Sequence, residues 1–337
     1  MDKALESIKL IPEQITQTWN EVMNLDLPQK LGSAQSVAIS GMGGSIYNYY
    51  ILKALFGKTL TVPLVRINNY GLPGFLNKNS LLIGSSYSGS TEEVLYNVQE
   101  AQRKSIPVIV FAAGGALIEH AKERAVPFYQ FNPLNNPSQQ PRMGQGYMLF
   151  GAIGIFKKLG FIKEEIDLEV LLEIKERLGS IAANAKSLVP KLIGQEIFFV
   201  AADHLAGNAH ILRNQTNETA KLYADYNLLP ELNHHLLEGL KNPKALKRTF
   251  ICIDSELYFE RNQRRGELTR EVIEKNGYPV LSFQPRSATA LGQFVETLIW
   301  GGYLTYELGK AYGEDPNLIP WVDYFKSKLG QFSALEN

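Results

Sequence analysis

The sequence predicts an α/β fold built as two tandem domains, each a mostly parallel sheet flanked by helices. Two observations carry this. Short apolar runs without polar alternation recur along the chain, separated by amphipathic stretches, which is the pattern of strands buried on both faces. The rhythm pauses over a charged helical stretch and then restarts, so the second half repeats the order of the first.

The elements follow in order. Residues 1–32 read as helical, with Leu5 and Ile8, then Ile15, Trp19 and Val22 beyond Pro12, at helical spacing. "SVAIS" (Ser36–Ser40) is the first strand, followed by the turn "GMGGS" and the helix "IYNYYILKALFG". "TVPLVR" (Thr61–Arg66) and "SLLIGS" (Ser80–Ser85) are strands, and "EEVLYNVQEAQRK" is a helix. "IPVIVFA" (Ile106–Ala112) and "VPFYQF" (Val126–Phe131) complete the first set. Residues 144–192 read as helical, with "KKLGFIKEEIDLEVLLEIKERLG" as the connector. Then come the strand "EIFFVAA", the helix "GNAHILRNQTNETAKLYA", the strand "TFICID", the helix "GELTREVIEKNG" and the strand "YPVLSF". The expected division is 1–152 and 153–337.

Bulk composition narrows the function. Of 337 residues 45% are hydrophobic and 20% charged, and Lys+Arg equals Asp+Glu at 34 each, so no global field recruits nucleic acid or acidic lipid. The lone cysteine, Cys252, lies in an apolar run and has no disulfide partner in the chain, which fits a reducing compartment. The first residues lack the apolar core of a signal peptide, and no segment approaches a membrane span. A cytoplasmic protein is expected, without nucleic-acid or membrane partners. The five histidines show no HxxH or HExxH spacing, so no metal or other cofactor is expected.

Chemistry concentrates in "SSYSGSTEEV", residues 85–94, at a strand-to-helix junction. Hydroxyls, backbone N–H groups, a glycine that admits close approach and a helix N-terminus are what a phosphate needs. "GMGGS" supplies a second Gly-rich turn, and in a parallel sheet both open at the carboxyl ends of strands. Gly43, Gly44, Ser45, Ser86, Ser88 and Thr91 are the candidate phosphate ligands. The plain alternative is a capping box, Ser90 with Glu93, that starts a helix with no ligand at all. The counterpart in the second half, "DSELYFERNQ", has no glycine, so an anion cup is expected in the first half only.

"GMGGS" with "SSYSGST" resembles the sugar isomerase (SIS) domain, whose serine-rich loops hold the phosphate of a phosphosugar. "PRMG" (Pro141–Gly144), "NETAK" (Asn217–Lys221), "LPELNH" (Leu229–His234) and the ending "YELGKAYGEDPNLIPWVDYFKSKL" resemble the bifunctional phosphoglucose/phosphomannose isomerases, over nearly the whole chain from about residue 30. The resemblance implies two tandem SIS-type α/β sandwich domains and metal-free aldose–ketose isomerisation of hexose 6-phosphates. By that resemblance, glucose 6-phosphate and mannose 6-phosphate interconvert with fructose 6-phosphate through a cis-enediolate. It also implies a homodimer with active sites shared between subunits.

By the same resemblance Glu218 is the base that moves the proton between C1 and C2, and Arg142 faces the developing enediolate. His234 opens the ring and Lys326 reaches the sugar hydroxyls. The residue types suit these tasks: a carboxylate can act as base next to a carbonyl, and a guanidinium stabilises an oxyanion without a metal. Each has a plainer reading on the residues alone. Glu218 can be a helix glutamate paired with Lys221, Arg142 and His234 can be solvated loop residues, and Lys326 can lie on the wet face of an amphipathic helix. His235 and Leu236 follow His234 where the family has a polar pair, leaving two candidate imidazoles, with spacing in favour of His234; Asn317 stands where the family has Thr. Two other functions remain open: another SIS phosphosugar isomerase, and a non-catalytic regulator that senses a sugar phosphate. Against the first, no glutaminase-like domain precedes the first half; against the second, the first 30 or so residues are too few for a helix-turn-helix domain.

Overall fold

The computed structural model describes residues 2–243 and 246–330. Two compact units emerge. Among the described residues the first comprises 10–166 with 319–330, and the second 2–9 with 167–318. The division falls at 166/167 and not at 152/153, because a single helix, Gln145–Lys158, runs through the expected boundary. Residues 2–9 and 319–330 are each grouped with the unit that holds the opposite half of the sequence.

In the first unit, β1 (Ser36–Ser40), β2 (Leu64–Ile67), β3 (Ser80–Ser85), β4 (Val108–Ala112) and β5 (Phe128–Gln130) form one sheet in the order β2-β1-β3-β4-β5. Every pairing is parallel, with Ser36 opposite Ser80 and Leu82 opposite Val108. The expectation of buried, unalternating strands holds best for β3 and β4, where every residue is buried. Of the unit's helices, α2 (Ile11–Met23), α3 (Tyr47–Phe56), α4 (Glu92–Arg103), α5 (Gly115–Glu123) and α6 (Gln145–Lys158) flank this sheet. The core on one face gathers Leu82, Val94, Val98, Val110, Leu117 and Ile118.

The second unit opens with α1 (Lys3–Lys9) and continues with α7 (Val170–Leu192), β6 (Glu196–Ala201) and α8 (Ala206–Thr219). Then come β7 (Ala224–Leu228), α9 (Leu236–Gly239), β8 (Arg248–Ile253), α10 (Glu260–Lys275), β9 (Val280–Phe283) and α11 (Ala290–Ala311). Its sheet, β7-β6-β8-β9, is also all parallel. Sequence reading placed "KLYA" at the end of a long helix. Instead α8 stops at Thr219, Lys221 turns to φ +52°, and Ala224 opens a strand. The last helix, α12 (Pro320–Leu329), is grouped with the first unit and has no buried residue. No helix among the described residues is long and apolar enough to cross a membrane.

Candidate functional site

Strand order places the crevice of the first sheet. The chain leaves β1 to add β2 on one side and returns to add β3 on the other, so the order reverses between β1 and β3. Loops leaving the carboxyl ends of two such strands diverge and open a cleft. They are residues 41–46 after β1 and 86–91 after β3, which are the two Gly/Ser-rich turns.

The second loop is braced before any ligand arrives. The Ser86 hydroxyl accepts from the Gly89 N–H at 3.0 Å and shares a 2.7 Å hydrogen bond with the Thr91 hydroxyl. The Ser90 N–H donates to Ser88 Oγ at 3.3 Å. Gly89 sits at φ +72°, and a Cβ there would lie 1.7 Å from the Gly114 carbonyl oxygen, so the loop folds onto the neighbouring turn at a distance only glycine permits. The capping box does not form: the cap of α4 is Thr91, without a side-chain cap bond, because Gly89 bends the chain and moves Ser90 ahead of the cap. Of the first-turn acids of α4, Glu92 is engaged by the Tyr70 hydroxyl. Ser88 is exposed, Thr91 is half-buried and Ser86 is buried.

Ser45 ties the two turns together. Its hydroxyl accepts from the Tyr87 N–H at 2.9 Å, and its carbonyl accepts from Ser85 Oγ at 2.9 Å. Asn48 Nδ2 donates to Ser85 Oγ at 3.0 Å. Gly43, at φ +51°, makes the bend that brings Gly44 and Ser45 to the start of α3. The structure thus joins Ser45, Ser86 and Thr91 in one hydroxyl-lined junction, with Gly43, Gly44 and Ser88 on its turns.

Arg142 lies on a short 3-10 turn, Pro141–Met143, that packs near the Gly43–Ile46 turn. It is only 3% exposed, so a solvated loop arginine is ruled out; its Nη1 donates to Gln140 Oε1 at 3.1 Å. Tyr87 closes the floor against Gly144, with Asn136 Nδ2 donating to its hydroxyl at 2.6 Å and burial pushing its pKa up to about 12. Lys326 is an exposed residue of α12.

Glu218 and His234 belong to the second unit. Glu218 is half-buried one residue before the end of α8. His234 ends the 3-10 turn Glu231–His234 that follows β7, and both His234 and His235 are exposed. Neighbouring Asn233 fixes that turn to α10, donating to Thr269 Oγ1 at 2.8 Å and accepting from Arg265 Nη1 at 3.1 Å. The two residues are held by separate elements, α8 and the turn after β7.

Sequence reading missed two residues that hold the cup, Asn48 and Gln145, and gave no bracing role to Ser85 and Tyr87 within the loop it singled out. The signal of Asn48 and Gln145 is faint, a polar side chain in or at the edge of a largely apolar stretch, as with Gln145 ahead of "YMLFGAIGIF". Among the described residues no group of three or more His, Cys, Asp or Glu side chains is placed to hold a metal ion. Cys252 is buried, and burial pushes its thiol up to about 12, so it is inert.

Comparisons with known proteins agree with this architecture. Residues 181–329 match the family model of the bacterial phospho-glucose isomerase C-terminal SIS domain. The chain is 27% identical over 342 residues to the bifunctional phosphoglucose/phosphomannose isomerase of Caldicellulosiruptor bescii, covering 97% of this chain and 98% of the relative. It is 26% identical over 306 residues to the protein of the same name from Aquifex aeolicus, covering 90% and 93%. Among solved structures, the tagatose-6-phosphate ketose/aldose isomerase of Escherichia coli superposes with a TM-score of 0.71 at 15% identity, over 95% of this chain and 96% of that one. A hypothetical protein from Thermus thermophilus gives 0.75 at 16% identity, over 97% and 89%. The chain is therefore similar over nearly its full length to the bifunctional phosphoglucose/phosphomannose isomerases, and its second half matches the model of a sugar isomerase (SIS) domain.

Proposed function

We propose that this chain is an aldose–ketose isomerase of hexose 6-phosphates, interconverting fructose 6-phosphate with glucose 6-phosphate and mannose 6-phosphate. The observation that carries the reading is the pre-braced hydroxyl junction of Ser45, Ser86 and Thr91 at the strand-order reversal, beside the N-terminus of a twelve-residue helix. The names of the full-length relatives support the same substrates.

In this reading Gly43, Gly44, Ser45, Ser86, Ser88 and Thr91 anchor the phosphate, whose binding energy positions the reacting carbons. His234 passes a proton to the ring oxygen as the ring opens. The Glu218 carboxylate then takes the proton from the carbon beside the carbonyl. The electron pair moves into a C1–C2 double bond, and the carbonyl oxygen becomes the enediolate oxygen. Arg142 supplies the positive charge for that oxygen, so no metal ion is called for, and Lys326 holds sugar hydroxyls. Once a proton has passed from the C2 hydroxyl to the C1 oxygen, return of the carbon-bound proton to C1 gives the ketose. Its return to C2 from either face gives glucose or mannose 6-phosphate, because both aldoses share one cis-enediol. Cytoplasmic residence and a homodimer belong to the same proposal.

Proton NMR of fructose 6-phosphate incubated with the protein tests this directly. Both aldoses are expected to appear, and Glu218→Gln is expected to stop both. No turnover by the wild type, or equal turnover by the variant, would overturn the mechanism. Phosphosugar binding without turnover would instead indicate a regulator.

A further inference from the structure

Gln145, the first residue of α6, is 1% exposed, yet its Oε1 has no hydrogen-bond partner among the described residues. A buried acceptor left unpaired is uncommon in a folded protein and asks for a reason. Its other end is committed: Nε2 donates at 2.8 Å to the carbonyl of Pro141, the residue that introduces Arg142. The same Nε2 lies 2.9 Å from where a Cβ on Gly44 would be, so the carboxamide fills the space that glycine leaves open in the phosphate turn. One side chain therefore touches both parts of the first unit's candidate site, the Gly43–Ser45 turn and the Pro141–Met143 turn.

We propose that Gln145 is a positioning residue that sets Arg142 relative to the phosphate turn. The proposal rests on the roles given above to that turn and to Arg142. The geometry supports a keyed joint. Gly44 has no side chain, so the amide can enter; the amide holds Pro141; Pro141 fixes the turn on which Arg142 rides. Packing alone could be served by a leucine or methionine at this site. Only a donor can hold the Pro141 carbonyl, and that is the function the buried amide retains despite its unpaired oxygen. The joint acts on the transition-state charge and not on the phosphate handle, because Ser45, Ser86 and Thr91 are braced by their own hydrogen bonds without Gln145.

The test uses the full chain with Gln145→Met, which keeps the volume and removes the donor, and Gln145→Glu, which keeps the shape. With fructose 6-phosphate as substrate, Gln145→Met is expected to lower kcat by about tenfold to a hundredfold, the size of effect that a small misplacement of a reacting group produces. Its affinity for inorganic phosphate is expected to stay at the wild-type value. Gln145→Glu is expected to be impaired at neutral pH and to recover relative to wild type as pH falls, because a protonated carboxyl can again donate to Pro141. Wild-type kcat in a folded Gln145→Met, or a loss of phosphate affinity in step with kcat, would overturn the proposal.

A second readout needs no turnover. The Arg142 side-chain N–H resonance is expected to exchange with solvent faster in Gln145→Met than in wild type. Absence of isomerase activity in the wild type would sink the functional reading, whereas an unchanged exchange rate would sink the role of Gln145 separately.

Discussion

At the scale of single residues, the cup was legible because its chemistry is written in residue types: glycines that bend and hydroxyls that donate. What those types could not tell was which hydroxyl does structural work. Ser86 and Ser45 accept backbone N–H groups, and Ser90, expected as a cap, does not cap. Gly89 is the position the loop cannot surrender. In Gly89→Ala the methyl meets the Gly114 carbonyl oxygen at 1.7 Å, and a non-glycine residue at φ +72° adds its own strain. We expect a loss of about 2 kcal/mol or more in a urea titration, together with weakened phosphate binding by calorimetry. Buried His204 gives a second residue-scale expectation. Burial lowers its pKa from the ordinary 6.5, outweighing the opposing effects of Gln293, whose Oε1 lies 2.8 Å from Nε2, and of Asp203. The unfolded chain therefore binds a proton that the folded one refuses. Stability is fully present above about pH 6.5 and is lost as pH falls below it toward the depressed folded value. His120 in the first unit is lowered by burial too, so His204→Gln should flatten part of the decline in unfolding free energy and not all of it.

At the scale of elements, the strands that could be read were those buried on both faces, where apolar runs are unbroken. The strand β7, "ADYNL", escaped because it is an edge strand with only Ala224 fully buried and polar residues along its length. The helix α11 gives no amphipathic signal for the opposite reason: seventeen of its residues are buried, all round. Its one buried acid, Glu296, is 2% exposed and fully committed. It pairs with Arg177 of α7 at 3.0 Å and accepts from the Arg286 N–H, the Ser287 N–H and the Ser287 hydroxyl at 2.9 Å each. This carboxylate joins two helices and the loop after β9. Replacing it removes the ionic partner of Arg177 and the shared acceptor of the Arg286 and Ser287 N–H groups, the latter in a buried residue. Glu296→Ala is expected to cost about 3 to 5 kcal/mol, readable as a lower urea midpoint, whereas exposed Glu271→Ala, with its i,i+4 partner Lys275, should leave the midpoint close to wild type.

At the scale of the whole molecule, two similar halves could be inferred from the repeated rhythm of strands and helices, but the exchange of the chain ends could not. Sequence patterns report which residues seek burial and not which core receives them. The first helix illustrates this. Grouped with the second unit, α1 lies against α11: Asp2 accepts from the Tyr306 hydroxyl at 2.6 Å, and Ile8, 1% exposed, packs over Gly302, where an added Cβ would meet Ile8 Cγ2 at 3.1 Å. Gly302 is thus the socket that lets a helix from the start of the chain dock on one near its end. This predicts that Gly302→Leu, or removal of residues 1–9, destabilises the second unit selectively. In hydrogen exchange, amides of α11 should lose protection in either variant, while those of β3 and β4 in the first unit keep theirs, since regions of one protein open with separate free energies. Equal loss of protection in both sheets would show that the docked helix supports the whole chain and not one unit. Unchanged protection of α11 would show that its own packing on α7 and α8 suffices.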